Sequence, residues 1–501
     1  MAIFIPVLTL LVVLFCDSPL HAGELTGDTR EVWISARTNA LGSGFIAGSG
    51  DIIRPYYGDF DAILNSLPSH TTIHLLPGIH FTKGYEFTRG DAALKAYQKV
   101  IGAGIDVTTV RRDRRFHPDT ADNEGELWSA ADGVEVSDLT IDANGSESDL
   151  QKNNAVGLRG SYCAVRRVKA IHTSGNLAKE QECFPIFVGD PVKVGNMISE
   201  CEVSSIRGTY CTAIAVLGQG VVSHNRVFLP VMTNMAQGIF QGYQANGSRN
   251  ALIDGNICDG GVSGFETDTL SETNLTIMNN AFRNVLCGVV LIKTGNWNLD
   301  GVAIRNNVIE LAGGIPNRAG YGIVVRNEDR TGKVHCRNIT ISGNMVRALP
   351  AGRIDTHLMV GIEATSTVQT SLLNVRIEAN TVDRLFQWNV NASGVSMANN
   401  SDLAGVPLHV RQVGPGSPGI AALQPLDGAI FVNSLTTSNL MLPNGRGFPG
   451  KELTIVNAKA NGNLLIGAAR GEKLVPNRAV LLMPNQSAHF ISDGTGKWFA
   501  R

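Results

Sequence analysis

One phrase, repeated with an asparagine fixed in place, constrains this chain more than any other feature. "NALIDGNIC" starts at Asn250, "NLTIMNNAF" at Asn274, "GVAIRNNVI" at Gly301, "NITISGNMV" at Asn338 and "NVRIEANTV" at Asn374. In each, Asn stands six residues on: Asn256, Asn280, Asn307, Asn344 and Asn380. A shorter echo, "GVSMANN", ends at Asn400, and weaker copies begin at Gly133, Gly195 and Gly220. The clear copies are 24, 27, 37 and 36 residues apart. Self-similarity at roughly 20–50 residues signals a solenoid, a propeller or an array. Every copy alternates apolar and polar residues, breaks at a polar turn and resumes a β-rich run, so it encodes strand, turn, strand.

Helical spacing of apolar residues is scarce between the copies, and no helical-pair or leucine-rich consensus is present. The expected fold class is all-β: a right-handed parallel β-helix, one coil per repeat. Stacking would place each Asn over its copy at about 4.8 Å. A carboxamide both donates and accepts, so stacked Asn can form a ladder that satisfies the turn backbone. The ladder is therefore expected to be structural.

The high glycine content, 55 of 501 residues, suits many tight turns. A formal net charge of −2 gives no basis for nucleic-acid binding. The run Ile3 to Cys16 is apolar but short for a membrane span, and small residues follow at Ala22 and Gly23. It is expected to be a signal peptide covering 1–22, with an uncleaved anchor as the alternative. No later segment is long and apolar enough to span, so the mature protein is expected to be secreted, periplasmic or at the cell surface. Seven cysteines follow Cys16 with no C-x-x-C spacing, which argues against a zinc site. Buried thiols are the expectation, with a Cys201–Cys211 disulfide as the alternative.

Residues 23–50 are expected to be a lead-in, 51–403 the β-helix, and 420–501 a small C-terminal β module beyond the "VGPGSPG" boundary at Val413 to Gly419. The module has lost the Asn phrase, and its expected task is to cap the exposed last coil.

Two N-terminal stretches carry a resemblance. "FDAILNSLPSHTTIHLLPGIHFTKGY" resembles the helical cap and first strand, and "KVIGAGIDVTTVRR" the second coil, of the pectate-lyase-like β-helix superfamily. That group includes secreted polysaccharide lyases, glycoside hydrolases and tailspike-like proteins. The resemblance implies a polysaccharide or glycan partner and, by its tailspike-like members, a homotrimer. The polygalacturonase motif set is absent, so no catalytic residue carries over by motif, and fold alone does not fix function.

Candidate site residues come from a second recurring strand that begins with glycine: Gly238, Gly264, Gly288, Gly322 and Gly361. The residue after each glycine is apolar and should face the core. Period two then turns the residues two and four places on outward. These are Phe240 and Gly242, Glu266 and Asp268, Val290 and Ile292, Val324 and Arg326, and Glu363 and Thr365, with Lys293 at a strand exit. The resemblance implies that this sheet floors the substrate groove. Glu266, Asp268, Lys293, Arg326 and Glu363 are the candidate catalytic residues, and Phe240 and Tyr243 the candidate sugar-binding aromatics. Two carboxylates suit glycoside hydrolysis. Alternatively, carboxylates hold Ca²⁺ against a uronate while Lys293 or Arg326 abstracts a proton, which is lyase chemistry. No metal ligands are assigned. A solvated face explains the same charges without catalysis. The leading function is polysaccharide cleavage by lyase or hydrolase. The competing readings are a non-catalytic glycan-binding or adhesin-like surface protein and a polyuronate C5-epimerase.

Overall fold

The computed structural model describes residues 30–36, 41–86, 93–115, 124–145, 152–232, 235–267, 270–294, 297–312, 320–349, 359–366, 372–383, 387–390, 395–401, 403, 410–413, 420–422, 429–432, 439–442, 452–457, 462–468, 473–475, 479–484, 486–493 and 495–500. The signal-peptide segment and Asp268 lie outside these residues.

The described chain is a right-handed parallel β-helix. Strands before and after the Asn turn form one bent 23-stranded sheet, and the glycine-led strands form a separate 10-stranded sheet. Each coil therefore has three faces, for example Leu252–Asp254, Ile257–Asp259 and Ser263–Thr267. Successive coils pair in parallel: Leu252 lies beside Thr276, Ile257 beside Ala281 and Phe265 beside Val289. Side-chain alternation then buries one residue in two. In the 10-stranded sheet the inward column runs Ile186, Ile214, Tyr243, Phe265, Val289, Ile323 and Ile362. All seven are fully buried. Each such side chain stabilises the fold by about 1.5–3 kcal/mol.

The Asn phrase is the hinge between the first two faces. The residue just before each ladder position has a left-handed backbone: His224, Gly255, Asn279, Asn306, Gly343, Ala379 and Asn399. Only glycine, and next asparagine or aspartate, adopt that conformation without strain. The ladder Asn then points inward. Asn280 Nδ2 donates to Ile253 O and to Asn307 Oδ1, and its backbone N–H donates to the same oxygen. Asn307 repeats this toward Asn344, and Asn344 toward Asn380. The chain of side chains begins at Asn225 and ends at Asn400. Cys201 occupies the preceding coil, where its N–H donates to Asn225 Oδ1.

The solenoid starts earlier than composition indicates. Arg30–Ile34 lies within the expected lead-in, yet it pairs in parallel with Thr71–Leu75 as a first rung. The expected helix is Phe60–Ser66, capped by Asp59 accepting from Ala62 N. Burial of Phe60, Ile63 and Leu64 seats it on the core. The C-terminal module also starts earlier, at Val410–Val413. It stacks rungs of its own, since Val410–Val413, Ala429–Val432 and Glu452–Asn457 pair in parallel. Ser487–Ser492 then returns antiparallel against Glu452–Asn457. Its core, with Leu453, Ile455, Phe490 and Trp498, is distinct from that of the solenoid. All seven described cysteines are buried free thiols, Cys201 and Cys211 included.

Candidate functional site

The outward face of the 10-stranded sheet carries the charged residues, in the register that the glycine spacing predicts for four of its five strands. Glu266, Val290, Val324 and Glu363 form one column. Ile292, Arg326 and Thr365 form the next. Glu266 and Glu363 stand three coils apart, about 14 Å along the axis. Paired carboxylates in glycoside hydrolysis lie about 5–9.5 Å apart, so these two do not converge.

The fifth strand corrects the reading of the aromatics. Its in-register glycine is Gly242, because Tyr243 pairs with Phe265. Gly238 is instead a turn glycine with φ of 124°. Phe240 and Tyr243 therefore do not face solvent, and both lie in the core. The Tyr243 hydroxyl donates to the Asn225 and Ile257 carbonyls. Lys293 is likewise turned inward. It is fully buried beside Glu272 at 3.4 Å, and its ammonium donates to Leu270 O. Burial pushes the Glu272 carboxyl up, against the pull of Lys293. The ammonium is thus sealed inside the coil, away from the outer face.

Arg326 and Glu363 do meet. Arg326 Nε donates to Glu363 Oε1 at 2.6 Å, and Thr365 Oγ1 to the same oxygen at 2.9 Å. Arg326 Nη2 donates to the Tyr321 hydroxyl, whose ring lies 5.2 Å below the guanidinium. Burial pulls this guanidinium down, but its bonds to Glu363 and Tyr321 leave it above the ordinary arginine range. It is bound and charged, which suits a structural clamp and opposes service as a base. Val324 and Glu363 are buried although they point outward, so this end of the face is covered.

A second constellation includes residues that the glycine alignment missed. Glu182, Thr212, Gln241 and Glu266 form one hydrogen-bonded row across successive coils. Thr212 Oγ1 lies 2.5 Å from Glu182 Oε1 and 2.6 Å from Gln241 Oε1. Gln241 Nε2 donates to Glu266 Oε2 at 2.8 Å, and Ser263 Oγ to the same oxygen at 3.0 Å. Thr212, Gln241 and Ser263 are buried, whereas Glu182 and Glu266 at the two ends are half-exposed. Hydrogen-bond lengths hold the two carboxylates within about 10 Å of each other. The missed signal is the residue before each in-register glycine. Aligning on Gly242 puts Gln241 and Ser263 in one column.

Toward the N terminus the outward column continues through Gln244, Ala215, Phe187, Gly157 and Trp128. Trp128 stacks on Tyr85 with centroids 3.8 Å apart, and Arg159 lies over Phe187 at 5.3 Å. The basic run from Arg111 is engaged internally: Arg111 pairs with Asp142, Arg112 with Asn153 and Arg115 with Asp113. No group of three or more His, Cys, Asp or Glu is arranged to hold a metal among the described residues. No described helix is long and apolar enough to cross a membrane.

No family model matches the chain, and no curated protein matches it in sequence. Among solved structures, it is similar to the A-module of a mannuronan C-5 epimerase from Azotobacter vinelandii, at 16% identity and a TM-score of 0.41, over 66% of this chain and 86% of that one. It is similar to the Dettilon tailspike protein at 12% identity and a TM-score of 0.46, over 87% and 71%. It is also similar to a lacto-N-biosidase from Eubacterium ramulus at 10% identity and a TM-score of 0.43, over 74% and 67%.

Proposed function

We propose that the protein acts on a polysaccharide and hydrolyses its glycosidic bonds on the outer face of the 10-stranded sheet, with Glu182 and Glu266 as the acid–base pair. The hydrogen-bonded row between these half-exposed carboxylates carries this reading. The two glutamates stand three coils apart, but the row draws their carboxylates to at most about 10 Å, nearer the 6.5–9.5 Å of an inverting pair than the roughly 5 Å of a nucleophilic pair. Lyase or epimerase chemistry needs a base that takes a proton from the sugar. The buried Lys293 and the clamped Arg326 are poorly placed for that. The apolar N-terminal run supports a secreted, periplasmic or cell-surface location.

The test is a screen of purified protein against neutral and uronate polysaccharides, with and without Ca²⁺, following reducing ends and unsaturated product. Reducing ends without the unsaturated chromophore are expected. Glu266→Gln should lower the rate by about 10²-fold or more. An unsaturated product would replace hydrolysis with lysis. Binding without either product would favour the glycan-binding scaffold, which the covered face around Val324 and Glu363 also fits.

A further inference from the structure

The row has too few hydrogens for its contacts unless one carboxylate is protonated. A threonine hydroxyl carries one hydrogen. Thr212 Oγ1 nevertheless touches two oxygens at hydrogen-bond length, Glu182 Oε1 at 2.5 Å and Gln241 Oε1 at 2.6 Å. With Glu182 ionised, one of those contacts would set bare lone pairs against each other. At 0% exposure for Thr212 and 8% for Gln241, water offers little relief. A buried acceptor pair left without a proton between its oxygens is unfavourable.

We infer that the row holds one proton shared between its two carboxylates and that it resides on Glu182, with Glu266 ionised. The four contacts along the row are then each satisfied in one direction. The Glu182 carboxyl O–H donates to Thr212 Oγ1, and the Thr212 hydroxyl donates to Gln241 Oε1. Gln241 Nε2 and Ser263 Oγ donate to the Glu266 carboxylate. Thr212 and Gln241 are thereby positioning residues that couple the charge of one glutamate to that of the other. Burial pushes two thiols that sense these carboxylates well up, Cys211 near Glu182 and Cys287 near Glu266, so they stay neutral. The roles of hydrolysis follow, resting on the function proposed above: Glu182 enters the reaction as the acid and Glu266 as the base.

The proton can be read without substrate. Infrared difference spectra of the full chain in D₂O at neutral pH, wild type minus Glu182→Gln, should contain a protonated-carboxyl C=O band worth one residue. Loss of a carboxylate band instead overturns the inference. Thr212→Val cuts the row at nearly constant volume and should convert that band to carboxylate, whereas Thr212→Ser should keep it. A band unchanged in a folded Thr212→Val overturns the coupling. A band present in a protein that cleaves no polysaccharide would uphold the shared proton and refute hydrolysis alone.

Discussion

At the residue scale, the ladder assigns unequal weights to asparagines that look alike in sequence. Asn307 Oδ1 accepts both the backbone N–H and the Nδ2 of Asn280. Asn225 Oδ1 accepts only the Cys201 N–H, because the preceding coil supplies no carboxamide. Each buried donor left unpaired costs about 1–3 kcal/mol. Asn307→Ala should therefore cost about twice as much stability as Asn225→Ala, measured by denaturant unfolding. Equal losses would mean that the side-chain bonds between carboxamides contribute nothing. The sequence showed this column clearly, because a stacked polar position tolerates little besides Asn. The residue before it is Gly or Asn in most copies. Its cause, a left-handed turn, is also met at Ala379 with φ of 54°. The buried row was harder to see, since Thr212 and Gln241 carry no charge and Glu182 precedes the strand Tyr210–Leu217 by a whole coil.

At the element scale, the glycine-led strands were legible because a glycine column is demanded by space. A Cβ at Gly322 would lie 2.3 Å from Gly361 O and 2.4 Å from a methyl of Val346. At Gly288 it would lie 2.4 Å from Gly322 O and 2.6 Å from a methyl of Ile309. Overpacking of this kind costs about 1–3 kcal/mol. Gly322→Ala is accordingly expected to lower the unfolding midpoint, while alanine at Gly44, which meets nothing within 4 Å but has φ of 68°, should cost only its backbone strain. Tolerance of alanine at Gly322 in a thermal melt would contradict the close approach of the two faces. The sequence reading slipped in the strand Ile239–Asn246 for the same reason. Gly238 and Gly242 are four residues apart and each precedes an apolar residue, so alternation favours neither. Packing against Cys258 marks Gly242 as the columnar one. Counting from Gly238 turns Phe240 outward, whereas Tyr243 is inward from either glycine, in agreement with its burial. Lys293 was misplaced differently. It is in phase with inward Leu291, but a lysine inside a core is not expected until its partner Glu272 is seen.

At the scale of the whole molecule, two separate cores imply two cooperative units. The solenoid core runs from Val32 to Val382, whereas Leu440, Leu453, Phe490 and Trp498 enclose the other. Trp498→Ala removes the largest side chain of the second core, at a cost of about 3–5 kcal/mol. Calorimetry should show a C-terminal transition displaced downward with the main transition in place. A single transition that moves as one would show that the two cores unfold together. The parallel rungs of this module were hidden in the sequence because no repeated side chain marks them. Throughout the solenoid, by contrast, the carboxamides from Asn225 to Asn400 all donate the same way, each to the next coil. A coil spliced in or cut out whole leaves that one-way chain intact whatever the length of its loops. The ladder is thus a joint at which such a molecule can grow or shorten by duplication over evolutionary time without redesigning its interior.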